Sequence, residues 1–139
     1  MQVEHRITIA ASAETIFRIY EDVQNWHTWD PDTKQAFLDG PFRVGSRGRI
    51  APPKGMTVPM LLTKVVPGEC FTVESKIPLF RMLFEHELVA GAGVTEVIHR
   101  VTFSGVLSYV LGPMLCKQLN AGLPVTLRNL KVLAERLGA

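Results

Sequence analysis

Residues 112–138, GPMLCKQLNAGLPVTLRNLKVLAERLG, decide the architecture of this chain. At 100° per residue, Leu115, Leu119, Leu123, Thr126, Leu127, Leu130, Leu133, Ala134 and Leu137 share one face, and Lys117, Asn120, Arg128, Lys131 and Glu135 fall opposite. The pattern predicts an amphipathic helix of roughly 25 residues, about 37 Å long. Pro113 is expected in its first turn and Gly138 at its stop. Pro124 removes one hydrogen bond from the middle, a loss of about 3 kcal/mol in a buried helix. Its place on the polar face, where water can serve the Asn120 carbonyl, makes it tolerable and predicts a bend toward the core.

Working back from that helix, the text between Thr33 and Gly105 has no room for another. Turn chemistry recurs at Asp39-Gly40-Pro41, Val44-Gly45-Ser46, Pro52-Pro53-Lys54-Gly55, Pro67-Gly68-Glu69 and Ala90-Gly91-Ala92-Gly93. Strands joined by such short turns must run antiparallel, because a parallel crossover needs a dozen or more residues. Nearer the start, Val3 to Ile9 is strand-like. Ser12, followed by Ala13-Glu14-Thr15-Ile16-Phe17, has the form of an N-cap with an acidic first turn, and Ile16, Phe17 and Tyr20 give the helix an apolar face. A second short helix or turn is expected over Asp22 to Trp29, ended by Asp30-Pro31.

The composition fits one globular α+β domain over residues 1–139: 47% of residues are hydrophobic and 20% charged. A net charge of +2 is far from the dense cationic patches that neutralise phosphates, so no nucleic-acid partner is expected. The charged N-terminal residues are unlike an export signal, and no apolar run reaches the twenty or so residues a membrane span needs, which points to the cytoplasm. Cys70 and Cys116 are isolated and read as free thiols.

The order of elements is strand, two short helices, about six strands and one long C-terminal helix. It resembles the helix-grip fold of the START-like, or SRPBCC, superfamily. Within it the chain is most similar to the polyketide cyclase/dehydrase-like branch, on Ala13-Glu14-Thr15-Ile16-Phe17, Asp22-Val23-Gln24-Asn25-Trp26-His27-Thr28-Trp29, Leu38-Asp39-Gly40-Pro41 with Val44-Gly45-Ser46, Val65-Val66-Pro67-Gly68 and Asn129-Leu130-Lys131. The resemblance implies a curved antiparallel sheet wrapped around the long helix, with a cavity between them for a lipid, polyketide or other hydrophobic ligand. It implies no single reaction. The paired histidines and carboxylate with which oxygenase relatives hold iron are absent in that spacing, so neither a metal nor another cofactor is expected.

Strand periodicity supplies the candidate residues. Phe80, Met82, Phe84, His86 and Leu88 share one face of their strand, as do Val97, His99, Val101 and Phe103 on the next. Closing the hairpin over Ala90 to Gly93 sets His86 and His99 on neighbouring strands of the inward face. They are candidates for orienting a ligand carbonyl or hydroxyl, or for acid–base chemistry in a cyclisation or dehydration; a satisfied core histidine is the plainer alternative. Phe80, Met82, Phe84, Val101, Phe103, Met114 and Leu119 are expected as apolar walls, Gln118 as a polar contact and Trp29 as an aromatic contact at the mouth. Gly122 either leaves room for a ligand or eases a close approach. His27, Asp30 and Asp32 are expected to face water. Arg43, Arg47, Arg49 and Lys54 form a basic stretch suited to a carboxylate, a phosphate or an acidic carrier protein, or simply to solvent. The leading expectation is binding of a small hydrophobic or aromatic molecule, with a cyclase/dehydratase as the alternative, in a monomer or homodimer.

Overall fold

The computed structural model describes residues 1–138. Strand β1 (Gln2–Ile9) leads into helix α1 (Ala13–Glu21) and a 3-10 segment (Val23–Thr28). Six strands follow: β2 (Gln35–Asp39), β3 (Arg47–Ala51), β4 (Val58–Val66), β5 (Cys70–Ile77), β6 (Phe80–Ala90) and β7 (Thr95–Ser104). Helix α2 (Ser108–Leu137) ends the chain. All neighbouring strands are antiparallel in the order β1-β7-β6-β5-β4-β3-β2, so the first strand closes onto the last and β1 and β2 form the edges.

Local chemistry sets the element ends. The Ser12 hydroxyl accepts from the Thr15 amide at 3.1 Å, satisfying one of the donors a helix start leaves free. Replacing Ser12 with alanine should cost about 1 kcal/mol; a urea midpoint unchanged from the parent would show that tertiary contacts alone hold α1. Helix α2 begins earlier than its periodicity suggests. The turn at Gly105, with φ of 99°, and the bond from the Leu107 amide to the Leu79 carbonyl aim the chain into the helix at Ser108. Pro113 therefore lies inside the helix rather than in its first turn.

The inward face of the sheet is built in cross-strand rows. One row is Leu62, Val73, Phe84, Val101 and Val3, and the next is Phe71, His86, His99 and His5. Helix α2 packs chiefly over β1 and β7. Its carboxyl half is sealed: Leu127, Leu130 and Ala134 are buried with Ile16, Phe17, Tyr20, Trp26, Trp29 and Phe71. Its amino half meets a second cluster of Val3, Phe80, Val101, Phe103 and Leu123. Leu137, expected on the apolar face, projects past the sheet and is 61% exposed.

The outward face carries charge. The Arg100 Nε bonds to Glu4 Oε1 at 2.8 Å on β1, and its Nη1 meets Glu87 Oε1 at 3.1 Å and Glu85 Oε2 at 3.3 Å on β6. Ile98 shares this outward face yet is buried, flanked in register by Arg6 and Glu87.

Candidate functional site

The histidine row sits where the sheet passes beneath α1 and the 3-10 segment. His86 and His99 are direct cross-strand partners with ring centroids 4.6 Å apart, edge to face. Phe71 of β5 stacks flat on His86 at 4.0 Å, and the His86 Nδ1 lies 3.3 Å from the Phe71 carbonyl. A carbonyl only accepts, so Nδ1 carries the proton and Nε2 is the bare nitrogen. Tyr20, on the buried face of α1, sets its hydroxyl 2.8 Å from His99 Nε2. Trp29 completes the group, its ring 6.5 Å from His99 and 6.0 Å from Tyr20.

Burial governs the charge states. It pushes the His86 imidazole down to about 4, against a smaller upward pull from the Phe71 and Phe84 carbonyls. His99 is driven well below the ordinary histidine range by burial first and by the neighbouring His86 second. Burial also raises Tyr20, which stays a neutral phenol hydrogen-bonded to His99. Both imidazoles are thus neutral at pH 7. One buried polar atom has no partner in the structure: the Trp29 Nε1 donor.

The 3-10 segment holds this group from above. Trp26 Nε1 donates to the Tyr20 carbonyl at 2.9 Å, and Asn129 Nδ2 of α2 donates to the Trp29 carbonyl at 3.2 Å. Asp30 is only partly open to water. It accepts from the Asp32 amide and from the Thr33 and Thr126 hydroxyls, and burial raises its carboxyl above the usual range. Proline at 31 turns the chain so that this carboxylate caps the loop against α2.

The expected site residues divide. His86 and His99 come together as their register requires. Phe80, Met82, Phe84, Val101, Phe103 and Leu119 gather in the second apolar cluster. Trp29 is not at a mouth: only 4% exposed, it is part of the core. Met114 and Gln118 are not walls. At 100° per residue they stand about 160° and 120° from Leu130, which turns them to solvent, and both are exposed. Gly122 makes room for a loop carboxylate rather than for a ligand, because a Cβ there would come 2.5 Å from Asp32 Oδ2.

Two participants escaped the sequence reading. Tyr20 was visible only as part of an apolar helical face, and its bond to His99 joins residues far apart in the chain. His5 is in phase with Val3 and Ile7, so alternation alone could have placed it inward. It extends the row onto β1 and donates through Nε2 to Asn120 Oδ1 of α2 at 2.9 Å.

A depression of about 510 Å³ at the amino end of α2 is lined by Met1, Phe103, Ser104, Gly105, Val106, Ser108 and Tyr109. It touches Phe103 and stops short of the imidazoles. Cys70 and Cys116 are free thiols. Among the described residues no group of three or more His, Cys, Asp or Glu side chains is placed to hold a metal ion, and no helix is long and apolar enough to cross a membrane.

Known structures share this architecture. A START superfamily protein from Mycobacterium smegmatis superposes with a TM-score of 0.79 at 20% identity, covering 98% of each chain. Norcoclaurine synthase from Thalictrum, solved as a point mutant with a transition-state analogue, gives 0.78 at 12% identity over 100% of this chain and 96% of that one. The Aha1 dimer from Colwellia psychrerythraea gives 0.71 at 18% identity, over 97% and 96%. At these identities the likeness is one of fold. No curated protein sequence matches the chain. The family model for polyketide cyclase / dehydrase and lipid transport, however, matches residues 1–135. With a seven-stranded sheet gripping a long terminal helix, the chain shares the fold of these structures and belongs to that family.

Proposed function

We propose that the protein binds a small hydrophobic or aromatic molecule between the sheet and the amino half of α2. The carrying observation is the contrast between the two halves of that helix. The carboxyl half is closed, with Leu130 and Ala134 fully buried. In the amino half, Leu111, Leu115, Cys116 and Leu119 face Ile77, Met82 and Phe84, and all are only partly buried. Apolar surface left half-closed forgoes roughly 25 cal/mol per Å², which a ligand lying along it would recover. The depression touches Phe103 of that same cluster, and Phe84 packs against both apolar clusters, so this reading takes the ligand from Phe103 past Phe84 toward His86. His86 Nε2 then offers an acceptor to a ligand hydroxyl.

The charge states favour binding over the cyclase/dehydratase alternative. A general base works best with a pKa near the operating pH, and an imidazole held near 4 is almost never the proton carrier at pH 7. Fluorescence of N-phenyl-1-naphthylamine should rise on addition of the protein. Leu119→Trp, which fills the cleft, should weaken that binding about tenfold or more, a loss near 1.4 kcal/mol. Val132→Trp, on the exposed face of α2, should leave it unchanged. Equal binding by all three proteins, or none by the parent, would refute the reading.

A further inference from the structure

The cations of this protein are segregated. Residues 33–66 contain Lys34, Arg43, Arg47, Arg49, Lys54 and Lys64 against one acid, Asp39, so the remainder of a chain of net charge +2 is net acidic. Their environments differ as well. On the outward face of β1, β7 and β6, Arg6 and Arg100 are bound to glutamates, and Arg81 is bound to Glu74. Among the described residues none of the six cations in 33–66 forms an ion pair, although Asp39 and Arg47 are direct cross-strand partners.

Apolar groups are exposed within the same surface. Phe37 is 42% exposed and Val44 59%. The Arg49 guanidinium lies 5.6 Å from the centroid of Phe37, which holds its planar fork over the strand. Between β2 and β3 a depression of about 460 Å³ is lined by Asp39, Pro41, Arg43, Val44, Gly45, Ser46 and Arg47. Strand β2 is an edge of the sheet, with the 3-10 segment rather than another strand packed beside it. Aromatic and arginine side chains are among the types enriched at protein interfaces, whereas a merely solvated face is dominated by lysine and acids.

We propose that the outer surface of β2, β3 and their connecting loop docks an acidic protein surface, one presenting carboxylates around an exposed apolar side chain. Arg43 and Arg47 take the carboxylates in forked hydrogen bonds, and the apolar side chain enters the depression against Val44 and Pro41. Unpaired arginines carry no internal bond that must break on docking, and their common sign steers the acidic partner in. Asp39 within the patch and the exposed aliphatic groups fit a protein partner better than a run of phosphates. The surface faces away from α2, so docking there and ligand binding under α2 are separate properties.

The test is a titration of ¹⁵N-labelled protein with a synthetic peptide that alternates glutamate with leucine and phenylalanine. Matched arms use the glutamine version of the peptide, single-stranded DNA and phosphatidylglycerol vesicles. The expected result is saturable amide shifts at Phe37 and residues 43–49 for the acidic peptide alone, weakened about tenfold or more by Arg43→Glu with Arg47→Glu and again by raised salt. Both arginines are exposed, so the variant should keep its melting temperature, which is measured alongside. No saturable shift, binding untouched by the charge reversal, or DNA or vesicles binding as tightly as the peptide would each overturn the proposal.

Discussion

Replacing Phe71 with alanine lowers the stability of this protein by about 3–5 kcal/mol, the range for deleting a buried aromatic ring. Phe71 is fully buried and is the hub of the aromatic group. Its ring lies 4.8 Å from Tyr20, 5.1 Å from Phe42, 6.0 Å from Trp26 and 6.4 Å from Phe17, besides the stack on His86. Losing it leaves a void that the sheet cannot collapse to fill, since β5 is paired on both sides. The melting temperature should fall by roughly 10–15 °C, and Phe71→Leu, which keeps most of the volume, should cost less than about 2 kcal/mol. A second readout concerns charge. With the stacking ring gone, the partly buried His86 is opened further to solvent and its pKa climbs from about 4 toward the ordinary histidine value, observable by NMR titration. A loss under about 1.5 kcal/mol, the cost of a shallow site, with His86 unmoved would show that Phe71 does not organise the site.

The second large effect is acid sensitivity. In the unfolded chain a histidine titrates near 6.5, whereas folded His86 titrates at about 4. Between those values the unfolded state binds the extra proton, so stability rises with pH across the window. The contribution is fully present above about pH 6.5 and is lost as pH falls toward 4. Each pH unit costs about 1.4 kcal/mol per fully shifted group, so lowering the pH from 6.5 to 5 removes roughly 2 kcal/mol through His86. His99, lowered by burial and by His86, acts in the same direction. Asp30 acts the other way, because its raised carboxyl is relieved by protonation as the pH falls. Urea unfolding at pH 7.5, 6 and 5 should therefore show a slope that His86→Gln cuts by about half. An identical slope in parent and variant would mean that the imidazoles are not the acid-labile groups.

The sequence made the architecture legible because its signals are local. A serine cap, prolines and glycines at the turns, period two in the strands and period 3.6 in the tail each depend on a few neighbouring residues, and all of them agreed. That His86 and His99 share the inward face of neighbouring strands followed from the same alternation, while their standing directly opposite rather than diagonal is set by the register of the hairpin. What eluded the sequence depends on where elements end and on which distant ones meet. The start of α2 is set by a bond from Leu107 to Leu79 in another hairpin, which no local pattern reports; Met114 and Gln118 lie beyond the edge of the apolar stripe by spacing alone. Trp29 has the composition of a ligand contact, but a hydrogen bond from Asn129, a hundred residues away, draws its backbone onto α2. Asp30 likewise read as a turn residue until Thr126 was found at its side.

His99 and Arg100 are adjacent on β7, one in the aromatic interior and the other clasping glutamates from both flanking strands. Sliding β7 by a single position would exchange them, driving a guanidinium among the rings and an imidazole among the carboxylates. The clasp thus acts as an indexing pin for the central strand. Substitutions along the imidazole row can retune what the interior recognises while the strand stays indexed, but a one-residue insertion or deletion in β7 scrambles both faces at once.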